Sequence, residues 1–313
     1  STPAFIHLRL HSEFSLIDSL IRINPLMQAL KQQSLPAVAL TDQSNICAMI
    51  KFYKAAQMAG IKPICGCDIW LSGNSGATEP VTRMTLLAMN KAGYSNIIKL
   101  TSRSYQEGQH NGKAVVHRDW LQQCNSGLIV LSGADKGEIG QALINRSTTE
   151  AKNLLLPWLE LFKDRFYLEI QRTGRPNDER CLHLTVDLAQ QVGVPLVATN
   201  EVVFIHTDEF EAHETRVCIN QGMILDDPDR PRNYSPQQYL RSEAEMLDLF
   251  NDLPSALTNS VEIAQRCNLD IELGKCHLPS FPVPAGQTMD TFFRQISSEG
   301  LERRLQQSRE APL

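Results

Sequence analysis

The sequence predicts an α/β fold: a parallel sheet, closed into a barrel or doubly wound, with helices packed on it. Three observations predict it. Seven strand-like runs alternate with helix-like runs along the first two hundred residues, the rhythm of repeated βα units. No hairpin of the Asn-Gly type is expected between those runs. No G-x-G-x-x-G or Walker motif follows any of them, which counts against a nucleotide-binding doubly wound sheet.

The first run, Phe5 to His11, places Ile6, Leu8 and Leu10 in alternation with His7, Arg9 and His11, the period of a strand. One face is therefore aliphatic and the other carries three ionisable groups. Such groups at the inner, C-terminal end of a strand are where a barrel enzyme keeps its chemistry. Asn24-Pro25 predicts a cap and a first-position proline for a helix reaching about Gln33. Pro36 to Asp42 is an apolar run ending in a carboxylate, the profile of a buried parallel strand. Asn45 to Ala59 has helical spacing, and Gly60 stops it. Lys62 to Leu71 is the next strand, with Asp68 on it; Ser72 to Pro80 reads as a loop. Met84 to Met89 is a strand, and Asn90 caps a helix running to about Glu107. Strands follow at Leu128 to Ser132, Phe166 to Gln171 and Pro195 to Asn200, with helices at Thr148 to Phe162 and Asn177 to Gln191.

Beyond Asp208 the pattern is helical: Asp208 to Asn220, Pro236 to Phe250 and Pro254 to Cys267. A stiff, charged loop, Asp226 to Arg232, separates the first two. Leu278 to Gly286 has the proline and glycine content of a linker, and Met289 to Leu305 is one more amphipathic helix without a partner. The chain is therefore expected to stop just inside another domain.

Composition narrows the class. Hydrophobic residues make up 42% of the 313, enough for a sizeable core. A net charge of -5 argues against a bulk electrostatic grip on nucleic acid by this stretch. No apolar run is long enough to span a membrane, and no signal peptide opens the chain. Eight scattered cysteines without a C-x-x-C pair make a zinc ribbon improbable. Cys65 and Cys67 are expected as small buried hydrophobes in a reducing cytoplasm.

Arg9, His11, Asp42, Asp68, Arg83 and Glu201 lie at apparent strand ends and converge if the sheet closes. Three carboxylates and a histidine fit a divalent-metal phosphoesterase. The two arginines do not, since a guanidinium is always protonated and offers only donors. The bland readings of the remaining polar residues are buried hydrogen bonds for His7, Glu169 and Gln171, a surface stripe for His206 and His213, and solvated charges for Arg230 and Arg232. The pair Asp226 and Asp227 does not make a calcium loop.

The order of short motifs carries a resemblance. His7-Leu-Arg-Leu-His-Ser-Glu-Phe-Ser-Leu-Ile-Asp18, Leu40-Thr-Asp42, Gly60-Ile-Lys-Pro-Ile-Cys-Gly66 and Leu131-Ser-Gly133 come first. Tyr167-Leu-Glu-Ile-Gln171, Val197-Ala-Thr-Asn200, Tyr239-Leu-Arg-Ser242 and Leu278-Pro-Ser-Phe281 follow. In this order they resemble the N-terminal region of bacterial DNA polymerase III alpha subunits, meaning their polymerase-and-histidinol-phosphatase (PHP) domain. The resemblance implies a distorted seven-stranded βα barrel over residues 1–275. It implies a linker and the start of the polymerase palm over residues 276–313.

It also implies a metal pattern, which this sequence departs from. Active members bind a trinuclear cluster through a His-x-His pair, whose positions fall here on Arg9 and His11. Their Asp-His pair falls on Asp42 and Gln43, and their glutamate on Asp68. The histidine that follows falls on Arg83, a cysteine on Ala134, another histidine on Thr173, and a final Asp-x-His on Glu201 and Val203. Only His11, Asp42, Asp68 and Glu201 could still coordinate. These are therefore expected to be vestigial metal-site positions, with no metal bound and no catalytic residue in this stretch. Removing cations from among buried carboxylates leaves like charges that cannot all stay ionised. Arg9 and Arg83 are expected to replace them by pairing with members of the Asp42, Asp68 and Glu201 set; a phosphate pocket built from the two arginines is a second reading.

As implied by the resemblance, the full-length chain is a magnesium-dependent, DNA-directed DNA polymerase that meets DNA through its other domains. This part stabilises the core and docks a separate proofreading exonuclease (epsilon) subunit. The rival expectation is a residual metal-dependent phosphoesterase or 3′-5′ exonuclease.

Overall fold

In the computed structural model, which describes residues 2–73 and 80–310, strands and helices alternate as the sequence leads one to expect. In chain order they are α1 (Ile23–Gln32), β1 (Ala37–Leu40), α2 (Met49–Ala59), β2 (Lys62–Ser72), β3 (Thr82–Ala88), α3 (Lys91–Gln106), β4 (Gln109–His110) and β5 (Lys113–His117). Then come α4 (Arg118–Gln123), β6 (Leu128–Leu131), α5 (Glu138–Asn145), α6 (Thr148–Phe162), β7 (Phe166–Gln171), α7 (Asp178–Val192) and β8 (Leu196–Thr199). The remainder is helical: α8 (Phe210–Gln221), α9 (Glu243–Leu249), α10 (Pro254–Arg266) and α11 (Met289–Glu310). The expected loop from Ser72 to Pro80 lies mostly outside the described residues.

The sheet closes into a distorted barrel of seven members. β1 pairs parallel with the first half of β2, and β2 pairs antiparallel with β3. β3 runs antiparallel to β6, and β6, β7 and β8 are parallel. The opening segment shuts the ring: His7 bridges Val38 of β1, and Leu10 bridges Val202 just beyond β8. The Ala39 N–H donates to the His7 carbonyl at 2.9 Å, and the His11 N–H to the Val202 carbonyl at 3.0 Å.

Two expectations about the sheet need correction. It is mixed rather than all parallel, because β3 begins at Thr82, too soon after β2 ends at Ser72 for the dozen or more residues of a parallel crossover, and so runs back along its neighbour. A hairpin of the Asn-Gly type also exists after all. Asn111 and Gly112 have φ of 48° and 75° and join β4 to β5, the paired positive angles that such a turn requires. β4 has only two residues and β5 buries Ala114, Val115 and Val116 in succession, so alternation gave no warning. β5 pairs with the far end of β2, Trp70–Ser72, outside the ring.

The opening segment is extended but makes isolated bridges rather than a continuous ladder. Part of its backbone bonds to side chains instead: Ile6 N–H to the Ser260 hydroxyl at 2.9 Å and Leu10 N–H to the Thr41 hydroxyl at 3.1 Å. Its two faces behave as the alternation demands. Ile6 and Leu8 join a buried cluster with Ala39, Ile64, Val261 and Ile263, so α10 covers that face. His7, Arg9 and His11 are buried as well.

Helix boundaries hold where the capping chemistry is local. Asn90 accepts from the Gly93 N–H at 3.1 Å and starts α3; Gly60, with φ of 70°, ends α2. α1 instead begins at Ile23 with Arg22 in the cap position, leaving Asn24 and Pro25 inside the first turn. The helix expected from Pro236 starts only at Glu243, where Ser242 and Glu245 cap each other. Before it, Tyr239 bridges Phe204, extending the backbone where a helix was expected. Cys65 and Cys67 are buried as expected, and burial pushes the Cys65 thiol up to about 12.

The chain divides into two compact units, Ser1–Asp270 and Ile271–Leu313. The first contains the whole barrel. The second contains α11, which has no buried residue.

His7 makes the buried hydrogen bond expected of it. Its Nε2–H donates to the Arg241 carbonyl at 2.7 Å, Nδ1 has no partner, and Phe5 packs edge-on at 4.8 Å. Burial lowers its pKa to about 4. With the folded value below the unfolded one, near 6.5, stability is retained above pH 6.5 and lost as pH falls towards 4, by about 3 kcal/mol. His7→Gln keeps the donor, so its melting temperature should fall less between those pH values than that of the unaltered chain, as read by calorimetry.

Candidate functional site

The ring brings its polar side chains to one mouth. Arg9 and His11 end the opening segment, Asp42 and Gln43 follow β1, and Asp68 and Arg83 stand on β2 and β3. Ala134 follows β6, Thr173 follows β7, and Glu201 and Val203 follow β8. All ten are buried.

Arg9 occupies the centre. Its Nε lies 3.1 Å from Asp68 Oδ2, one terminal nitrogen 3.2 Å from Glu169 Oε1, and the other 3.7 Å from Glu201 Oε1. Both Asp68 oxygens are engaged: Oδ2 also receives His11 Nε2 at 2.6 Å, and Oδ1 receives the Thr85 hydroxyl. His11 is held from its other side by Asp18, whose Oδ1 lies 2.8 Å from Nδ1, and Asp18 accepts from the Tyr234 hydroxyl at 2.9 Å. Burial alone would lower the His11 pKa, but Asp18 and Asp68 outweigh it and raise the value to about 10. The imidazole is therefore a cation at neutral pH, with both nitrogens donating.

Glu201 is the second focus. Besides Arg9 it meets Arg83, Lys136 at 3.2 Å and Arg175 at 3.0 Å. Burial opposes its ionisation, yet these four cations hold its carboxyl well below the usual range. Burial, opposed by Glu201, brings Lys136 down to about 8. Glu201 has φ of 44°, a left-handed backbone that costs a non-glycine residue about 1–3 kcal/mol and persists where surrounding contacts over-determine it.

The expected arginine pairing with members of the carboxylate set falls on Asp68 and Glu201 and leaves Asp42 out. That carboxylate takes the Ser12 N–H at 2.6 Å and the Ser12 and Ser15 hydroxyls at 2.8 Å each. Burial outweighs those bonds and raises its pKa; a neighbouring loop satisfies it without any cation. Gln43 donates to the Asp68 carbonyl at 3.1 Å. Thr173 donates its hydroxyl to Asp178 at 2.7 Å. Ala134 sits at φ of 48° in the turn after β6, and Val203 adds a buried apolar side chain.

Alternation and spacing left several participants without a role. Lys136 and Arg175 lie a few residues past β6 and β7, in loops where no periodicity marks an inward side chain. Asp18 belongs to the first motif, but its contact with His11 depends on the turn after Ser12. Glu169 is an interior satisfied polar as expected, yet it is also one of Arg9's three carboxylates. Two bland expectations fail outright. His213 is enclosed by Phe204, Phe210 and Tyr234 rather than lying on a surface stripe. Arg230 is buried against Glu214 at 2.6 Å and the Leu225 carbonyl at 2.8 Å.

A metal ion needs free lone pairs converging on one point. Here Asp68 and Glu169 accept from Arg9 and from neighbouring hydroxyl, amide and N–H donors, Glu201 is shared by four cations, and His11 presents no lone pair. Among the described residues no group of three or more His, Cys, Asp or Glu side chains is arranged to hold a metal ion. The donor set does not fit the cluster that the family pattern implies.

The seven-membered ring closed by the opening segment is the architecture expected of the PHP domains. Residues 7–173 match that family, and the chain belongs to it. It is 56% identical over 302 residues to a DNA polymerase III subunit alpha of Pseudomonas fluorescens, covering 96% of this chain and 26% of the relative. It is 47% identical over 305 residues to the subunit of the same name from Escherichia coli, covering 97% and 26%. The chain thus spans about a quarter of the length of the curated relatives it matches. Among solved structures, an amidohydrolase of Chromobacterium violaceum aligns at 12% identity with a TM-score of 0.39, over 62% of this chain and 84% of that one.

Truncating one partner of a buried pair costs about 3–5 kcal/mol, because the other charge is left uncompensated. Arg9→Ala leaves Glu169 without a cation and Asp68 with His11 alone, and should lower the melting temperature by on the order of 10 °C. Arg83→Ala leaves Glu201 with Arg9, Lys136 and Arg175, so its loss should be smaller but still measurable. Equal melting temperatures for Arg83→Ala and the unaltered chain would remove Arg83 from the network.

Proposed function

We propose that this chain is the PHP module of a replicative DNA polymerase III alpha subunit and performs no chemistry of its own. It acts as a rigid scaffold that stabilises the polymerase core and docks the proofreading exonuclease (epsilon) subunit. The full-length protein is, on this reading, a cytoplasmic nucleotidyltransferase of DNA replication, with magnesium and template DNA bound by domains outside this stretch. Residues 276–313 are the linker and the beginning of the palm.

The observation that carries the inactive role is the position of Arg9. A fully buried guanidinium lies among Asp68, Glu169 and Glu201, where a hydrolase of this family needs free carboxylates. The curated relatives, matched over nearly all of this chain, support the polymerase assignment.

Metal analysis after incubation with manganese or zinc and gel filtration tests the scaffold reading. The expected result is no stoichiometric metal and no hydrolysis of single-stranded DNA or pyrophosphate. About one bound equivalent with turnover abolished by His11→Ala would establish the residual phosphoesterase or exonuclease instead. Co-elution with the purified exonuclease subunit tests the docking role separately.

A further inference from the structure

The turn that follows the opening segment carries an unusual residue. Leu16 has φ of 66°, a left-handed backbone that disfavours any side chain, and its apolar side chain is 65% exposed. Both features cost stability at one position, and the frame around them is not slack. The Leu16 N–H closes the turn onto the Glu13 carbonyl at 3.2 Å. The Glu13 N–H donates to the Ile21 carbonyl at 2.8 Å, and the Leu20 N–H to the Val203 carbonyl at 3.2 Å. Strain held in this way by surrounding bonds is a feature of ligand clamps.

Leu16 lines an open groove of about 530 Å³, together with Phe14, Leu20 and Arg216 of α8. The lining carries two guanidinium groups, Arg22 and Arg216, against one carboxylate, Glu13. Arg22 takes that carboxylate, at 3.6 Å. Arg216 has no ion pair among the described residues, and its Nε is shielded from solvent without a hydrogen-bond partner. Ile219, three residues further along α8 and so on the same side of it, is 70% exposed.

A guanidinium without a partner, beside exposed apolar side chains, defines its own complement. A carboxylate matches the guanidinium fork, and a bulky apolar side chain next to it covers Leu16 and Ile219. One arginine among apolar anchors is the composition of a protein-interface hot spot. A nucleic-acid backbone needs a row of cations, which this groove does not have.

We propose that the exonuclease subunit docks in this groove, through a segment that presents a carboxylate next to a bulky apolar side chain. Arg216 holds the carboxylate, and Leu16, Leu20 and Ile219 hold the apolar group. The inference rests on the docking reading above and adds the surface and its chemistry to it.

Isothermal titration of this chain with the purified exonuclease subunit tests it. Arg216→Glu should weaken binding at least about tenfold. Leu16→Gly separates docking from folding, since glycine accepts the left-handed backbone without strain. Its melting temperature should hold or rise, while its affinity falls at least about tenfold. Leu156→Asp, at an exposed apolar side chain of α6 outside the groove, should bind as the unaltered chain does. Absence of binding by the unaltered chain overturns the docking reading and this site with it. Undiminished binding by either Arg216→Glu or Leu16→Gly overturns the site alone and leaves the docking reading standing. Displacement of the subunit by single-stranded oligothymidylate that binds the unaltered chain but not Arg216→Glu would assign the groove to nucleic acid instead.

Discussion

Everything at the mouth of this barrel follows from the need to keep several carboxylates ionised while buried away from bulk solvent. Asp18, Asp68, Glu169 and Glu201 are all buried. An isolated carboxylate in such a place takes up a proton, and a set of them cannot remain charged together. Arg9 resolves most of the conflict, because its guanidinium carries donors in three directions and reaches a different carboxylate with each. His11 completes it as a second fixed cation between Asp18 and Asp68.

The network also closes the fold. The opening segment is not bound into the ring by a regular ladder, since its backbone partners include the hydroxyls of Ser260 and Thr41. To the few backbone bonds at its C-terminal end, Arg9 and His11 add a reach across the mouth to β2, β7 and Glu201 beyond β8. Glu201 shows the same logic from the other side. Its left-handed backbone turns a carboxylate into a cluster of four cations, and that electrostatic gain offsets the conformational strain. Chain closure and charge compensation are one construction.

The alternating architecture could be read from apolar runs and stop residues, and so could the inward face of Arg9 and His11. The antiparallel β3 could not, because periodicity reports burial and not strand direction. The hairpin at Asn111-Gly112 carried the right dipeptide, but its exposed polar flanks lacked the alternation that marks a strand. At the mouth, positions on strands were legible and positions on loops were not. Asp68 and Arg83 follow from strand phase, whereas Lys136, Arg175 and Asp18 depend on turns whose direction no local pattern encodes. Asp42 stands apart because its donors come from the turn after the opening segment: Ser12 and Ser15 occupy its oxygens, yet burial still raises its pKa.

Replacing metal ions by side-chain cations changes what the barrel depends on. A metal stabilises a fold by mass action, in proportion to the logarithm of its free concentration over its dissociation constant. A guanidinium attached to the chain has no such dependence and cannot be stripped by a chelator. It also cannot activate water, having no lone pair to accept a proton and no open coordination position. On the scaffold reading proposed above, the exchange trades chemistry for unconditional rigidity.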